Sequence, residues 1–287
     1  MADTIQILSA SPRDYELLDS GGRQKLERFG DVIAVRSEPK AWWRRASPEL
    51  WGKADCVFEE GAHKGWVFKT RKAAPVLDFD GIKFRAKFMD GTKHLGVFPE
   101  QLPHWRFIEE FPKGRKTGGA PKLLNLFGYT GAASLFAARA GFEATHVDAS
   151  KPSVDWARKN QEESGLAGAK IRWIVDDALK FVKRQQRRGA KYDAIVLDPP
   201  AFGRGPRGEL WKLEKMLPQL LEACAEVLSE KPMFVLMTLY SIDASAVMAG
   251  NMLREYFGGA EISQGELVLQ PAKGFALPLS IWAKAVF

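Results

Sequence analysis

The sequence predicts an α/β protein: a doubly wound parallel sheet closed by a C-terminal antiparallel hairpin, preceded by a smaller β-rich α+β domain. Three observations predict it. From Lys122 onward, short apolar runs of strand length alternate with helical stretches, the signature of a parallel sheet with helices on its faces. After Phe257 the alternation stops, and GELVLQ and LPLSIWAKAVF follow as two strands with no helix between them, joined around Pro271 to Phe275. Before Lys122 there is no such alternation, only tryptophans and short strand candidates.

In chain order, Ile5 to Ser9 and Val32 to Val35 are β-like, and Tyr15 to Arg28 between them suits either a helix or a turn around Gly21-Gly22. AWWRRASPELW sets tryptophans beside arginines, a pairing that serves equally to stack bases and hold phosphate or to fill a core. Trp66 to Lys69 and Val76 to Met89 read as strands, with Phe84, Ala86 and Phe88 alternating into a hairpin turn at Asp90-Gly91. Gly96 to Trp105 reads as a proline-broken loop. The basic, Gly- and Pro-containing stretch Lys113 to Pro121 is the expected boundary between a recognition domain, 1–115, and a second domain, 116–287.

In that second domain the expected strands are Leu123–Phe127, Ala144–Val147, Ile171–Val175, Tyr192–Leu197 and Met233–Thr238. Helices are expected over Ala132–Ala140, Pro152–Ser164 with Ser150 as N-cap, Leu179–Arg188, Leu213–Leu228 and Ala244–Phe257.

Composition narrows the class. A chain of 287 residues, 46% hydrophobic and 27% charged, is long enough for about two domains with ample core. No apolar run approaches the ~20 residues that span a bilayer, and MADTIQILSASPRD has no secretory pattern, so the expected location is the cytoplasm, with no membrane partner. The two cysteines, Cys56 and Cys224, form no disulfide framework, and His63, His94, His104 and His146 show no metal-site spacing, so no metal is expected. A net charge of +7 and a pI near 9.3 favour a polyanionic partner. The densest basic run, Lys180 to Lys191, fits a solvated helix face better than a binding patch.

The chemistry concentrates in KLLNLFGYTGAASLFAARAGFEATHVD, Lys122 to Asp148. Glycines at the corner Gly128-Tyr129-Thr130-Gly131 permit close backbone approach to a ligand, and Asp148, 20 positions after Gly128, can accept hydrogen bonds from ribose hydroxyls. The pattern points to a nucleoside-binding crevice; its alternative is a βαβ unit with a glycine turn and no ligand. The terminal hairpin discriminates between cofactors, because a dinucleotide-binding sheet would keep alternating, whereas a seven-stranded methyltransferase sheet ends this way.

With NLFGYTG, HVDAS, VDDA and LDPPAF at the ends of successive strands, the chain resembles a class I S-adenosylmethionine (SAM)-dependent methyltransferase. It is most similar to the bacterial family that methylates large-subunit ribosomal RNA to 5-methylcytosine or 7-methylguanine, a likeness that extends to YELLDSGGRQKLERFG and HLGVFPEQ. The resemblance implies a Rossmann-like seven-stranded methyltransferase sheet, SAM as cofactor and RNA as partner. It also implies roles. Phe127, Gly128, Tyr129, Thr130 and Gly131 would cradle the methionine moiety, Asp148 with Ser150 would serve the ribose, and Asp177 with Ala178 would face the adenine edge. Asp198, Pro199 and Phe202 would surround the methyl group and target base, and Phe98 and Gln101 would close over the cofactor. Each acid has a structural alternative: Asp148 as a strand-end cap, Asp177 as a helix N-terminal residue. Phe202 could equally be core.

Two departures matter. Asn125 stands where many methyltransferases carry a carboxylate, and the segment after the fifth strand, MTLYSID, has Leu239, Tyr240 and Ser241 where cytosine-C5 members have a cysteine. C5 methylation requires a thiolate to attack C6, so a purine nitrogen is the favoured target. The separate N-terminal RNA-binding module that some family members carry has no evident counterpart either. Three rivals stand beside RNA methylation: a methyltransferase acting on protein or a small molecule, a nicotinamide-dependent oxidoreductase, and a non-catalytic RNA-binding protein.

Overall fold

A computed structural model describes residues 4–61, 65–113, 119–240 and 242–287. Residues 114–118 of the expected boundary, together with His63 and Ser241, lie outside the described residues. The chain divides into two compact units, one comprising 1–8, 104–267 and 280–287, the other 9–103 and 268–279.

The smaller unit follows strand β1 (Ile5–Ser9) in the chain. It holds a five-stranded sheet of β2 (Tyr15–Gly21), β3 (Gln24–Phe29), β4 (Val32–Ser37), β5 (Cys56–Glu59) and β6 (Gly65–Phe68), in that order. The stretch Tyr15 to Arg28 is therefore a hairpin and not a helix. Gly22 and Arg23, at φ 60° and 62°, supply the two left-handed residues that a two-residue turn between twisted strands demands. A second hairpin, β7 (Val76–Phe79) and β8 (Ile82–Arg85), corrects the reading of Val76 to Met89 as a strand turning at Asp90-Gly91. The chain contains two Asp-Gly pairs ten residues apart, and the earlier one makes the turn, with Asp80 at φ 53° and Gly81 at φ 87°. Between β3 and β4 the Arg36 guanidinium forks onto the buried Glu27 carboxylate at 2.6 Å on both sides, and Tyr15 donates to the same group at 2.8 Å. That pairing holds Glu27 ionised below its ordinary pKa despite complete burial.

Gly96 to Trp105 is not an extended loop: a 3-10 turn, Pro99–Gln101, leads into helix α1 (Leu102–Glu110). Both prolines fall in first turns, where a missing N–H costs nothing. Trp105 stacks on Phe136 at 5.6 Å and Glu109 takes both arms of Arg139, seating α1 on the helix that follows.

The larger unit then alternates as expected: β9 (Lys122–Leu126), α2 (Ala132–Arg139), β10 (Glu143–Asp148), α3 (Lys151–Glu163), β11 (Ile171–Val175), α4 (Ala178–Arg187) and β12 (Ala194–Leu197). A small hairpin, β13 (Phe202–Arg204) and β14 (Leu210–Lys212), precedes α5 (Leu213–Glu226), β15 (Phe234–Tyr240), α6 (Ala246–Tyr256), β16 (Glu261–Leu269) and β17 (Leu277–Val286). The sheet order is β1-β16-β17-β15-β12-β9-β10-β11, with β9, β10, β11, β12 and β15 parallel and β17 antiparallel to β15. Order reverses between β9 and β12, which opens a crevice at the carboxyl ends of those strands.

The seven expected strands are present, and β1 adds an eighth at the β16 edge. Gly265 explains the approach: a Cβ there would sit 1.8 Å from the Gln6 carbonyl oxygen, so only a glycine lets β1 lie alongside. The core between helices and sheet is apolar on the spacing the helices dictate. In α4, Ala178, Leu179, Phe181, Val182 and Gln185 are buried, one stripe of the 3.6-residue period, each large apolar side chain contributing roughly 1.5–3 kcal/mol. No described helix is long and apolar enough to cross a membrane.

Candidate functional site

The crevice is built from the carboxyl ends of β9, β10, β11 and β12. Backbone hydrogen bonds tie these ends together: Gly128 N donates to Val147 O at 3.1 Å, Asp176 N to Asp148 O at 3.1 Å, and Asp198 N to Leu126 O at 3.3 Å. Three acidic strand ends are thereby held side by side.

The loop after β9 carries unusual backbone. Phe127, Tyr129 and Gly131 all have positive φ, 57°, 49° and 93°, and for non-glycine residues such conformations persist only where surrounding contacts enforce them. Those contacts are explicit. Tyr129 N donates to Asp148 Oδ2 at 2.8 Å, Asn160 of α3 donates to Thr130 O at 3.0 Å, and Phe127 packs on Trp211 at 4.9 Å.

Both glycines also have an internal reason. A Cβ on Gly128 would lie 2.4 Å from the His146 ring, and one on Gly131 would lie 2.9 Å from Ala157 and 3.2 Å from Trp173. The turn thus sits tightly on a buried polar floor. Asn125 donates to Ser134 Oγ at 2.9 Å, and that hydroxyl lies 3.1 Å from His146 Nδ1. Burial pushes His146 down to about 3, so the ring is neutral at ordinary pH. With Asn125, Ser134 and His146 all uncharged, the neutral amide at 125 is matched by its surroundings.

Asp148 is half-buried, and each of its oxygens accepts one backbone amide, Oδ2 from Tyr129 and Oδ1 from Ser150, both at 2.8 Å. Burial raises its pKa, partly offset by these two bonds. A carboxylate oxygen accepts two hydrogen bonds, so each keeps one lone pair for a further donor. That capacity, at the end of β10, fits a ribose diol. Ser150 also caps α3, accepting from Ser153 N at 3.3 Å.

Asp177 is buried and caps α4 through Lys180 N at 2.9 Å, so the helix N-terminal role is present in full. Ala178 beside it is buried, while Asp176 pairs with Arg184. Thr130 is buried beneath the loop, and the loop's outer faces belong to Phe127, Gly128 and Tyr129, all half-buried.

Asp198 is half-buried, Pro199 buried and Pro200 exposed. Pro200 O accepts from Trp211 Nε1 at 2.6 Å, which locks the strand end onto the β13–β14 hairpin. Phe202 is 57% exposed, which removes the core alternative. The glycine-rich segment Gly203 to Gly208 runs from β13 into the hairpin tip, where Glu209 accepts from Arg207 N at 2.8 Å and from Lys180 Nζ at 2.7 Å. Phe98 and Gln101 belong to the smaller unit, where Phe98 precedes the Pro99–Gln101 turn and Gln101 is buried.

Sequence reasoning did not single out Ser134, His146, Asn160, Trp173 or Trp211. They are scattered along the chain and their types carry no motif. Among the described residues no cluster of His, Cys, Asp and Glu could hold a metal ion.

A switch point flanked by acidic strand ends, with an antiparallel last strand, is the architecture of SAM-dependent methyltransferases, and the comparisons with known proteins agree. The family model described as Conserved hypothetical protein 95 matches residues 111–235. The crystal structure of a SAM-dependent methyltransferase from Agrobacterium tumefaciens superposes with a TM-score of 0.93 at 40% identity, covering 98% of this chain and 93% of that one. The chain belongs to the class I SAM-dependent methyltransferases.

Among curated relatives it is 32% identical to ribosomal RNA large subunit methyltransferase I of Pseudoalteromonas translucida, over 65% of this chain and 45% of that protein. It is 30% identical to ribosomal RNA large subunit methyltransferase K/L of Shewanella frigidimarina, over 60% of this chain and 23% of that one. The chain thus spans less than half the length of these curated relatives. SMU.776, solved in complex with SAH, shares the fold at a TM-score of 0.72 and 19% identity.

Proposed function

We propose that this protein transfers the methyl group of SAM to a base in ribosomal RNA, with a purine ring nitrogen as the favoured target. The observation that carries this reading is the juxtaposition of the Asp148-anchored loop with Asp198-Pro199-Pro200, one hydrogen bond apart through Asp198 N and Leu126 O, beside an exposed Phe202. The relatives named for ribosomal RNA supply the substrate class.

In this reading Asp148 takes the ribose hydroxyls, with Ser150 fixing one of its oxygens, and Asp177-Ala178 borders the adenine. The Phe127–Gly131 loop holds the methionine end, with Thr130 acting through loop shape. When bound, SAM supplies an electrophilic methyl group. The chain's own residues orient the acceptor: Asp198 and the Pro199 carbonyl accept from an exocyclic amine, and Phe202 stacks on an extruded base.

A ring nitrogen is already nucleophilic, so orientation supplies most of what is needed. Both cysteines are buried with their thiols pushed up to about 12, which leaves neither as the thiolate that C5 chemistry requires. Cytoplasmic placement and the absence of a required metal belong to the same reading. The test is transfer from methyl-labelled SAM into ribosomal RNA, followed by mass spectrometry of the nucleosides from cells with and without the protein. Label in protein alone, or an unchanged nucleoside profile, removes RNA as substrate.

A further inference from the structure

Among the described residues, three Phe or Trp side chains are exposed: Trp42 at 78%, Phe275 at 66% and Phe202 at 57%. Phe202 belongs to the candidate active site. Trp42 and Phe275 lie far apart in sequence yet both fall in the smaller unit, and Trp43 joins them, following Trp42 in the chain and packing edge-on against Phe275 at 5.9 Å. The segments that present them, 21–24, 39–46 and 270–276, carry Arg23, Lys40, Arg44, Arg45 and Lys273 and no carboxylate.

Nothing about this surface is slack. The buried Asp19 carboxylate gathers the segment from below, accepting from Ala46 N at 3.1 Å, Ser47 N at 3.0 Å and Trp51 Nε1 at 2.8 Å. From the side, Gly22 N donates to Trp43 O at 2.8 Å and Arg23 N to Ala41 O at 2.7 Å, while Trp43 Nε1 donates to Ser20 O at 3.0 Å. A Cβ on Gly21 would lie 2.6 Å from Arg45 N, so the β2–β3 turn packs directly on this segment. The Arg23 guanidinium stands 5.8 Å from the Trp42 ring centre. A fold that fixes a backbone so firmly and still leaves a tryptophan in water beside a guanidinium has forgone the ~1.5–3 kcal/mol that burying a large apolar side chain would return.

We infer that Trp42 and Phe275, with Arg23, Arg44 and Lys273, form a base-stacking platform for an unpaired stretch of RNA. The chemistry that such a surface recognises is a flat π-face beside a phosphate. Unstacked bases offer both, whereas in a duplex the faces are already covered. The carboxylates that touch these segments, Asp19 and Glu38, are buried, so the exposed charge is cationic and argues for a polyanion over a mixed-charge protein surface, and the fixed backbone lowers the ordering cost of binding. The inference deepens the RNA reading above and rests on it.

The test is fluorescence polarisation with the full-length protein and a labelled, unstructured oligoribonucleotide of about twelve residues, alone and annealed to its complement. Trp42→Ala is expected to weaken single-strand binding roughly ten- to hundred-fold, Trp42→Phe by only about threefold, and neither to change duplex binding or SAM affinity. Arg44→Gln is expected to reduce the dependence of binding on log salt by roughly one unit. Equal losses for single strand and duplex, or no loss with Trp42→Ala, overturn the platform. Because Trp42 is exposed, an unchanged melting temperature separates lost stacking from misfolding. If wild-type protein labels RNA but the single-strand contrast is missing, the platform alone falls. If it labels no RNA, the methylation reading falls and the binding contrast still decides the platform.

Discussion

The two rims of the parallel sheet are made from the same strands and could hardly differ more. At the carboxyl rim stand Asp148 and Asp177, whose carboxylates accept backbone amides, and Asp198, whose own amide donates to Leu126 O, around a loop with three positive φ angles. At the amino rim lies a shallow concavity of about 470 Å³ lined by Lys122, Glu143, Lys170, Arg172 and Lys191, among others. Its charges are conventional: the exposed Lys170 pairs with a half-buried Glu143 at 2.8 Å, and Lys191 donates to Glu226 O. Exposed pairs of this kind contribute little to stability. The contrast shows that charge and concavity alone do not make a site. What distinguishes the carboxyl rim is partly desolvated acid with unspent lone pairs, held against a backbone that a buried floor keeps strained.

The comparison breaks most visibly at Asp148. Asp148→Ala should raise the SAM dissociation constant by about 100-fold in calorimetry, because it removes charge-assisted acceptors and strands the Tyr129 and Ser150 amides. Since burial raises the Asp148 pKa, SAM affinity should also fall on acidification at a higher pH than an ordinary aspartate would dictate. If affinity holds at the pH where exposed aspartates begin to protonate, the carboxylate is not the ribose partner.

Next comes pH-dependent stability. His104 and His146 are buried and pushed down to about 3, while in the unfolded chain they titrate near 6.5. Between those values the unfolded state binds more protons, so the stabilisation is present above about pH 6.5 and is lost as pH falls toward about 3. Urea unfolding at pH 7 and pH 5 should show a loss of up to ~1.4 kcal/mol per pH unit for each histidine.

Gly128→Ala should follow in size. Its Cβ would meet the His146 ring at 2.4 Å, and overpacking of that kind costs roughly 1–3 kcal/mol, a fall of several degrees in melting temperature. The smallest effect belongs to the other rim. Lys122→Glu with Arg172→Glu should leave SAM affinity unchanged and shift stability by no more than about 0.5 kcal/mol per site. A tenfold change in SAM affinity from that pair would erase the distinction between the rims.

Much of this was legible in the chain. The β/α alternation could be read because periodic burial leaves a periodic pattern, Gly128 and Asp148 because a glycine corner and an acid 20 residues on mark the first two strand ends, and Asp198 because LDPPAF follows a buried strand and resembles a family motif. Where the reading slipped, local rules left a choice open. Asp80-Gly81 and Asp90-Gly91 carry the same turn chemistry, and only the pairing of Val76 with Arg85 selects the first. Prolines at 99 and 103 signal a broken loop or a helix start equally well, and the docking of Trp105 on Phe136 decides for the helix. The Asn125–Ser134–His146 floor joins residues whose types carry no motif, so no linear pattern announces it.

By itself, the amino-acid order determined the alternating architecture, the antiparallel ending and the acids at the strand tips, since these follow from periodicity and turn chemistry over a few residues. Tertiary structure alone decided why Gly128 must be glycine, how Asp148 divides its oxygens between two amides, and that residues 268–279 rejoin the smaller unit to bring Phe275 against Trp43. Those outcomes depend on contacts between segments distant along the chain, whose cost in loop-closure entropy and reward in packing no local window records.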